Sequence, residues 1–326
     1  QDNLAGTVNR LLALREAANL VYLAKDAQKQ GEMEAMAGVI AASFGVPAAM
    51  PVVKMALAVC WAFAESSLDL RELRKKTGGF FGAGESTGSV GVVTINMPRI
   101  AYLAKDEADF YGKLDHMMDI CARSLKTKRE VITKLLNQGL YPYTKRYLGT
   151  FENHFSTIGL LGMNEAGLNA KWVRKDMTHR ECQEFTRDVL NHMRERLSDY
   201  QEMYGDLYNL EATPAESTTY RLAKHDKQRY PDIITAGEEG DTPYYTNSSH
   251  LPVDYTEDVF DALDIQDELQ TLYTSGTVFH AFLGEKMPDW KAAANLVRTV
   301  AENYKLPYYT LSPTYSICKC HGYLIG

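Results

Sequence analysis

Apolar and polar positions change their rhythm along the chain. From Gly6 to Gln30, Leu11, Leu12, Ala18, Val21 and Leu23 recur at helical spacing among Arg and Lys, and residues 32–44 and 50–66 are Ala- and Met-rich without strand alternation, so a helical front segment is expected. Between Arg74 and Gly91 the chain turns Gly-rich (KKTGGFFGAGESTGSVG), the composition of a loop with unusual backbone angles. Beyond it, strand-like and helix-like segments alternate, as in an α/β protein. Val90–Asn96 is a β-branched run ended by Pro98, and residues 107–138 carry Phe110, Leu114, Met117, Cys121 and Leu125 on one helical stripe. Residues 157–161 read as a short buried strand. Residues 176–204 read as a second long helix with Phe185, Val189, Met193 and Leu197 inward, its Glu, Lys and Arg marking a solvated face. Further short strands are expected at 207–212, 277–282 and 308–311, and residues 224–256, rich in Asp, Pro, Tyr, Thr, Asn and Ser, at a long ordered loop.

The 326 residues are 45% hydrophobic, enough for a core of ordinary size and too apolar for disorder. A formal charge of -7 gives no general attraction to a phosphate backbone, and no basic patch offsets it, so no nucleic-acid partner is expected. Free nucleotides need only one local pocket. Residues 51–64 form the run nearest to a membrane segment, but it is short and holds Lys54, which predicts a buried helix and no membrane partner. Five cysteines, Cys60, Cys121, Cys182, Cys318 and Cys320, are an odd number with three isolated, which argues for reduced thiols and a cytoplasmic location. The chain opens at Gln1 without an initiator Met and shows no signal-peptide pattern.

Candidate chemistry is sparse. Cys318 and His321 have the C-x-x-H spacing that brings a thiolate and an imidazole onto one zinc, with Cys320 as a rival ligand; against this stand two ordinary cysteines, since a structural site needs four ligands. The segment LEATPAESTTY runs from a strand into a possible helix start, where free N–H groups and the hydroxyls of Thr213, Ser217, Thr218 and Thr219 suit phosphate oxygens; an ordinary N-cap is the alternative. The glycines of 78–91 match neither nucleotide-binding fingerprint. Asn164-Glu165, after IGLLGM, places a carboxylate at a strand's C-terminal end or else in a turn. His116, His154, His179 and His192 read as surface or core residues.

From about Leu68 onward the chain resembles the anaerobic (class III) ribonucleoside-triphosphate reductases, a glycyl-radical enzyme family. The resemblance rests on LDLRELRKKTGGFFG, TGSVGVVTINMPRIAYLAKDE, IGLLGMNEA, LEATPAESTTYRLAKHDKQRYPDI, YYTNSSHLPV, LYTSGTVFHAFLGE and LPYYTLSPTYSICKCHGY, in that order over about four-fifths of the chain. It implies a fragment of a ten-stranded α/β barrel preceded by a small all-α segment. It also implies deoxynucleotide synthesis in which a glycyl radical oxidises a cysteine to a thiyl, which abstracts the ribose 3′ hydrogen before water leaves C2′. By the same resemblance Thr213, Pro214, Ala215, Glu216, Ser217 and Thr218 cradle the substrate triphosphate, Cys318 and His321 form half of a zinc site, a radical-SAM iron–sulfur enzyme activates the protein, ATP is a ligand, and the family assembles as a homodimer.

The departures imply as much. The family's thiyl cysteine lies a few residues before LDLREL, where Ala62, Phe63, Ala64, Glu65, Ser66 and Ser67 stand here, and Cys60 is out of register. The radical glycine and second cysteine pair would follow Gly326, so no catalytic residue is assigned. Residues 4–73 weakly resemble part of a Firmicute domain of unknown function, and the two resemblances meet at LDLREL. The expectation is a truncated, chimeric chain, divided into residues 1–73 and 74–326, that is itself inactive, with residual nucleotide binding. Another glycyl-radical lyase is the rival within enzymes.

Overall fold

A computed structural model describes residues 87–325 apart from 238–241, 253–254, 257, 284–288, 314 and 319–321. The expected front helices and nearly all of the Gly-rich stretch lie outside the described residues, which belong to one compact unit, Arg74–Gly326. The β-branched run forms β1 (Gly88–Asn96). Pro98 does more than end it: the proline begins α1 (Met97–Leu103), whose first turn is capped by Asn96 Oδ1 accepting from the Arg99 N–H at 3.2 Å. Helix α2 (Glu107–Asn137) is capped by Asp106 and followed by α3 (Pro142–Tyr147). Its buried stripe runs Phe110, Leu114, Met118, Cys121, Leu125; Met117 is exposed, because the i, i+4 row carries the inward face through Met118.

Strand β2 (His154–Leu161) is buried at every position, as a strand covered on both faces must be. After it come α4 (Met163–Asn169), α5 (Arg180–Tyr204), β3 (Tyr208–Glu211) and α6 (Glu216–Arg229). The long α5 begins four residues later than periodicity suggests, because Asp176 folds back in a turn to His179 at 2.8 Å. Helix α6 occupies the start of the expected loop, whose ordered part follows it. Helix α7 (Val259–Gln270), β4 (Phe279–Leu283), α8 (Trp290–Asn303), β5 (Tyr309–Pro313), β6 (Tyr315–Cys318) and β7 (Gly322–Ile325) complete the described chain.

Strands β1, β2 and β3 form one parallel sheet in that order, with Val92, Thr157 and Asn209 in one row and Thr94, Gly159 and Glu211 two rows on, on the same face. Strands β4 and β5 pair in parallel, and β6 and β7 as an antiparallel hairpin. Ile95, Ile158, Leu160, Tyr208 and Leu210 pack with α2 and α5 into the main core. Period-two alternation turns Thr94, Thr157, Asn209 and Glu211 to the opposite, polar face. At the N-terminal end of β2, buried Arg129 of α2 donates to the carbonyl of Phe151 at 2.8 Å and approaches Asp206 at 3.6 Å, anchoring helix to sheet away from the strand C-termini.

Candidate functional site

Open parallel sheets gather ligands at their strand C-terminal ends, where helix N-termini and loops converge. Here those ends are Asn96, Leu161 and Glu211, and the loop leaving β3 carries Ala212, Thr213 and Pro214 into α6. Helix α6 starts at Glu216 with no side-chain cap from its own Ala215, so its first N–H groups are not taken by the usual Ser, Thr or Asp. Thr213 lies directly over Gly159 of β2: a Cβ on that glycine would come 1.8 Å from Thr213 Oγ1. The Thr213 hydroxyl is sealed from solvent without a partner.

One segment fastens this loop to the rest. Tyr245 OH donates to Asp226 Oδ2 at 2.9 Å. Thr246 donates twice to Glu165, from its N–H at 2.9 Å and its hydroxyl at 2.7 Å. Asn247 Oδ1 accepts the Ala215 N–H at 3.3 Å, and Ser248 Oγ donates to the Thr213 carbonyl at 3.4 Å. Ser249 accepts from Tyr273 OH at 2.8 Å and from Gln266 Nε2 at 3.0 Å. In return the N–H groups of Gly162 and Met163 bond the carbonyls of Thr246 and Ser248 at 2.8 and 2.9 Å. Ser248 sits at φ 43°, a left-handed conformation that costs a non-glycine residue about 1 kcal/mol or more and persists only where its surroundings fix it.

Two buried carboxylates anchor that clamp. Asp226, on α6, also accepts from Asn96 Nδ2 at 2.7 Å and Arg99 Nε at 2.6 Å, so it ties α6 to the end of β1. Glu165 does stand just past a strand's C-terminal end, on α4; burial raises its pKa, and the donors from Thr246 and Asn164 oppose that rise. Its bonds go to the clamp, so its role here is positional. Glu211, at the end of β3, is also held above the usual carboxylate range by burial.

Between loop and clamp lies a cavity of about 400 Å³, lined among others by Thr213, Tyr220, Asn247, His250, Asp258 and His280. Burial pushes His250 down to about 4, and the charge of His280 acts in the same direction. An unfolded histidine titrates near pH 6.5, so below that value the unfolded chain takes a proton that folded His250 refuses. Stability is therefore expected to fall as pH drops from about 6.5 to about 4, by roughly 3 kcal/mol from this group at 1.36 kcal/mol per unit. Urea midpoints across that window check it; His250→Gln should flatten the slope, and an unchanged slope would refute the assignment.

The remaining expected residues are elsewhere. Thr213–Thr218 all belong to the loop and first turn of α6. His192 pairs with Asp115 at 2.7 Å on the outer helices, where Arg196, on the face expected to be solvated, joins Asp119 at 2.7 Å. The buried thiols Cys121 and Cys182 are pushed up to about 11 and 12 by burial in the core between helices and sheet. Cys318 closes β6 opposite Gly322 of β7, while Cys320 and His321 lie outside the described residues. No group of three or more His, Cys, Asp or Glu suited to a metal occurs among the described residues, and no helix there is long and apolar enough to cross a membrane.

A family model described as anaerobic ribonucleoside-triphosphate reductase matches residues 26–326. The chain belongs to this family. The match begins inside the front segment, ahead of the boundary expected at residue 73. The anaerobic ribonucleoside-triphosphate reductase of Haemophilus influenzae is 28% identical over 222 residues, 61% of this chain and 31% of its own length. That of Enterobacteria phage T4 is 25% identical over 226 residues, covering 64% and 34%. The chain thus spans about a third of the curated relatives it matches. Among solved structures, the Thermotoga maritima anaerobic ribonucleotide reductase with glycerol in its active site superposes with a TM-score of 0.62 at 24% identity, over 74% of this chain and 39% of that one. The same enzyme in complex with dATP and CTP gives 0.62 at 23% identity, over 74% and 39%. The mixed α/β fold with parallel sheets is therefore the fold of this reductase family.

Proposed function

We propose that this protein serves the reduction of ribonucleoside triphosphates to deoxyribonucleoside triphosphates, and that Thr213, Pro214, Ala215, Glu216, Ser217 and Thr218 receive the substrate's triphosphate. The observation that carries this reading is that the loop Ala212–Pro214, which leads into the uncapped start of α6, lines the 400 Å³ cavity. Anions are stabilised at such a start by free N–H groups and the helix dipole, and Thr213, Ser217 and Thr218 add hydroxyls. A Thermotoga maritima relative in complex with dATP and CTP supports a nucleotide as ligand.

The reading includes the ten-stranded barrel, supported by the parallel order of β1, β2 and β3 with helical crossovers. It also includes a family homodimer and activation by a radical-SAM iron–sulfur partner. The glycyl radical supplies hydrogen-atom abstraction in this family. Among the described residues Cys121 and Cys182 do not fit the thiyl role, being buried in the core on the helix side of the sheet, away from the cavity. What the described residues do is bind and orient. For zinc, the C-x-x-H spacing of Cys318 and His321 supports ligation by that pair. A separate origin for residues 1–73 is retained as part of the proposal, and one reading frame across codon 70 in independent isolates would argue against a chimera.

Isothermal titration of the full chain with each of the four ribonucleoside triphosphates, and with the matching nucleosides, tests the reading. Triphosphates should bind at least tenfold more tightly than their nucleosides, and inorganic triphosphate should compete. Equal affinities would remove the phosphate loop from the account. A second reading, that this chain binds nucleotide without turning it over, is favoured by the positions of Cys121 and Cys182. Anaerobic deoxynucleotide production by the purified chain with an activating enzyme would overturn it.

A further inference from the structure

We propose that Asn247 is a phosphate-recognising residue, donating from its side-chain amide to the triphosphate while its oxygen holds the loop. This rests on the triphosphate reading above. A backbone N–H can be accepted only by the amide oxygen, so the bond from Ala215 fixes Oδ1 toward the loop and turns Nδ2 away from it. Asn247 lines the cavity, and among the described residues Nδ2 has no protein partner. The buried, unpartnered Thr213 hydroxyl stands on the same loop. One unused donor, Asn247 Nδ2, thus stands at the cavity beside the loop that leads into the uncapped start of α6.

The placement of Asn247 is rigid. Its neighbours Thr246 and Ser248 are bonded to Glu165, Gly162, Met163 and Thr213, and Ser248 is held at φ 43°. From outside the helix, Asn247 does what the third residue of a capping box does from within, bonding the N-cap N–H. A residue with only that duty could be an aspartate, whose carboxylate accepts equally well and suits a helix N-terminus. A residue that also donates to phosphate could not.

Asn247→Asp therefore separates the two roles. Its thermal midpoint should equal or exceed that of the unaltered chain, and its affinity for nucleosides should be unchanged. Its affinity for ribonucleoside triphosphates and inorganic triphosphate should fall on the order of 100-fold, through loss of a charge-assisted bond and gain of a repelling charge. Asn247→Ser, which retains an acceptor and lacks the amide donors, should lose about tenfold. Triphosphate affinity within threefold of the unaltered chain in Asn247→Asp would overturn the proposal while leaving the phosphate loop standing. Parallel losses of nucleoside affinity and thermal midpoint would assign Asn247 a structural duty alone. If the unaltered chain shows no preference for triphosphates, the underlying reading fails, and this one with it.

Discussion

Asp226→Ala is expected to destabilise the described unit by about 3 kcal/mol, the lower end of the range for removing one partner of a buried ion pair. The carboxylate is fully buried and accepts from Asn96, Arg99 and Tyr245, three groups from two distant stretches of chain. Deleting it strands the Tyr245 hydroxyl, whose pKa burial and Asp226 both raise, and leaves Arg99 to find water through the 35% of its side chain that is open. That opening places the estimate at the lower end. Asp226→Asn should be milder, since its one amide oxygen still accepts on one side, from Arg99 or from Tyr245, whose bonds go to different oxygens of the carboxylate. Guanidinium unfolding monitored by near-ultraviolet circular dichroism reads both, and a loss below about 1 kcal/mol for the alanine variant would mean that the network is incidental.

Gly159→Ala is expected to damage the site more than the fold. The added methyl would meet Thr213 Oγ1 at 1.8 Å, with the Thr213 Cβ and the Glu211 carbonyl at 3.1 Å. The Thr213 side chain can rotate, but its Cβ and the Glu211 carbonyl belong to the β3 strand and loop, so the loop must rise from the sheet. Overpacking of this kind costs about 1–3 kcal/mol. Displacing the loop by a fraction of an ångström should reduce triphosphate affinity by more than tenfold, because several short bonds misalign together. Combining it with Thr213→Ala removes the nearest atom and should recover part of the stability without recovering affinity. Additive losses in that pair, measured by unfolding, would show that the two side chains do not meet.

Periodicity was enough to locate the long helices and the parallel strands, because burial of one helical stripe, or of every residue in a covered strand, leaves a mark on local spacing. Phe185, Val189, Met193 and Leu197 are all buried as their spacing requires. The error at Met117 is of one position, the offset between adjacent rows of a helix surface. Short α4, α7 and α8 carry less periodic signal and did not declare themselves. At the site, the composition of residues 213–219 pointed to a helix start. Asp226 and Asn247 gave no such sign. Asp226 lies among Lys, His and Gln, which reads as a solvated face, and its burial depends on Asn96, 130 positions away. Asn247 stood inside YYTNSSHLPV, where turn chemistry explains an Asn without a ligand. His250 is distinguished only by the cavity it faces. Each depends on partners that local spacing does not encode.

The clamp has a kinetic consequence. Its bonds join residues far apart in the chain, with 81 positions between Thr246 and Glu165 and 32 between Asn247 and Ala215. The α2–β2–α5–β3 layer buries its apolar surface without them. Such distant polar closures should form after the folding barrier, so weakening them should accelerate unfolding and leave refolding nearly unchanged. The lifetime of a bound nucleotide and the lifetime of the native state would then depend on the same five residues, Tyr245 to Ser249.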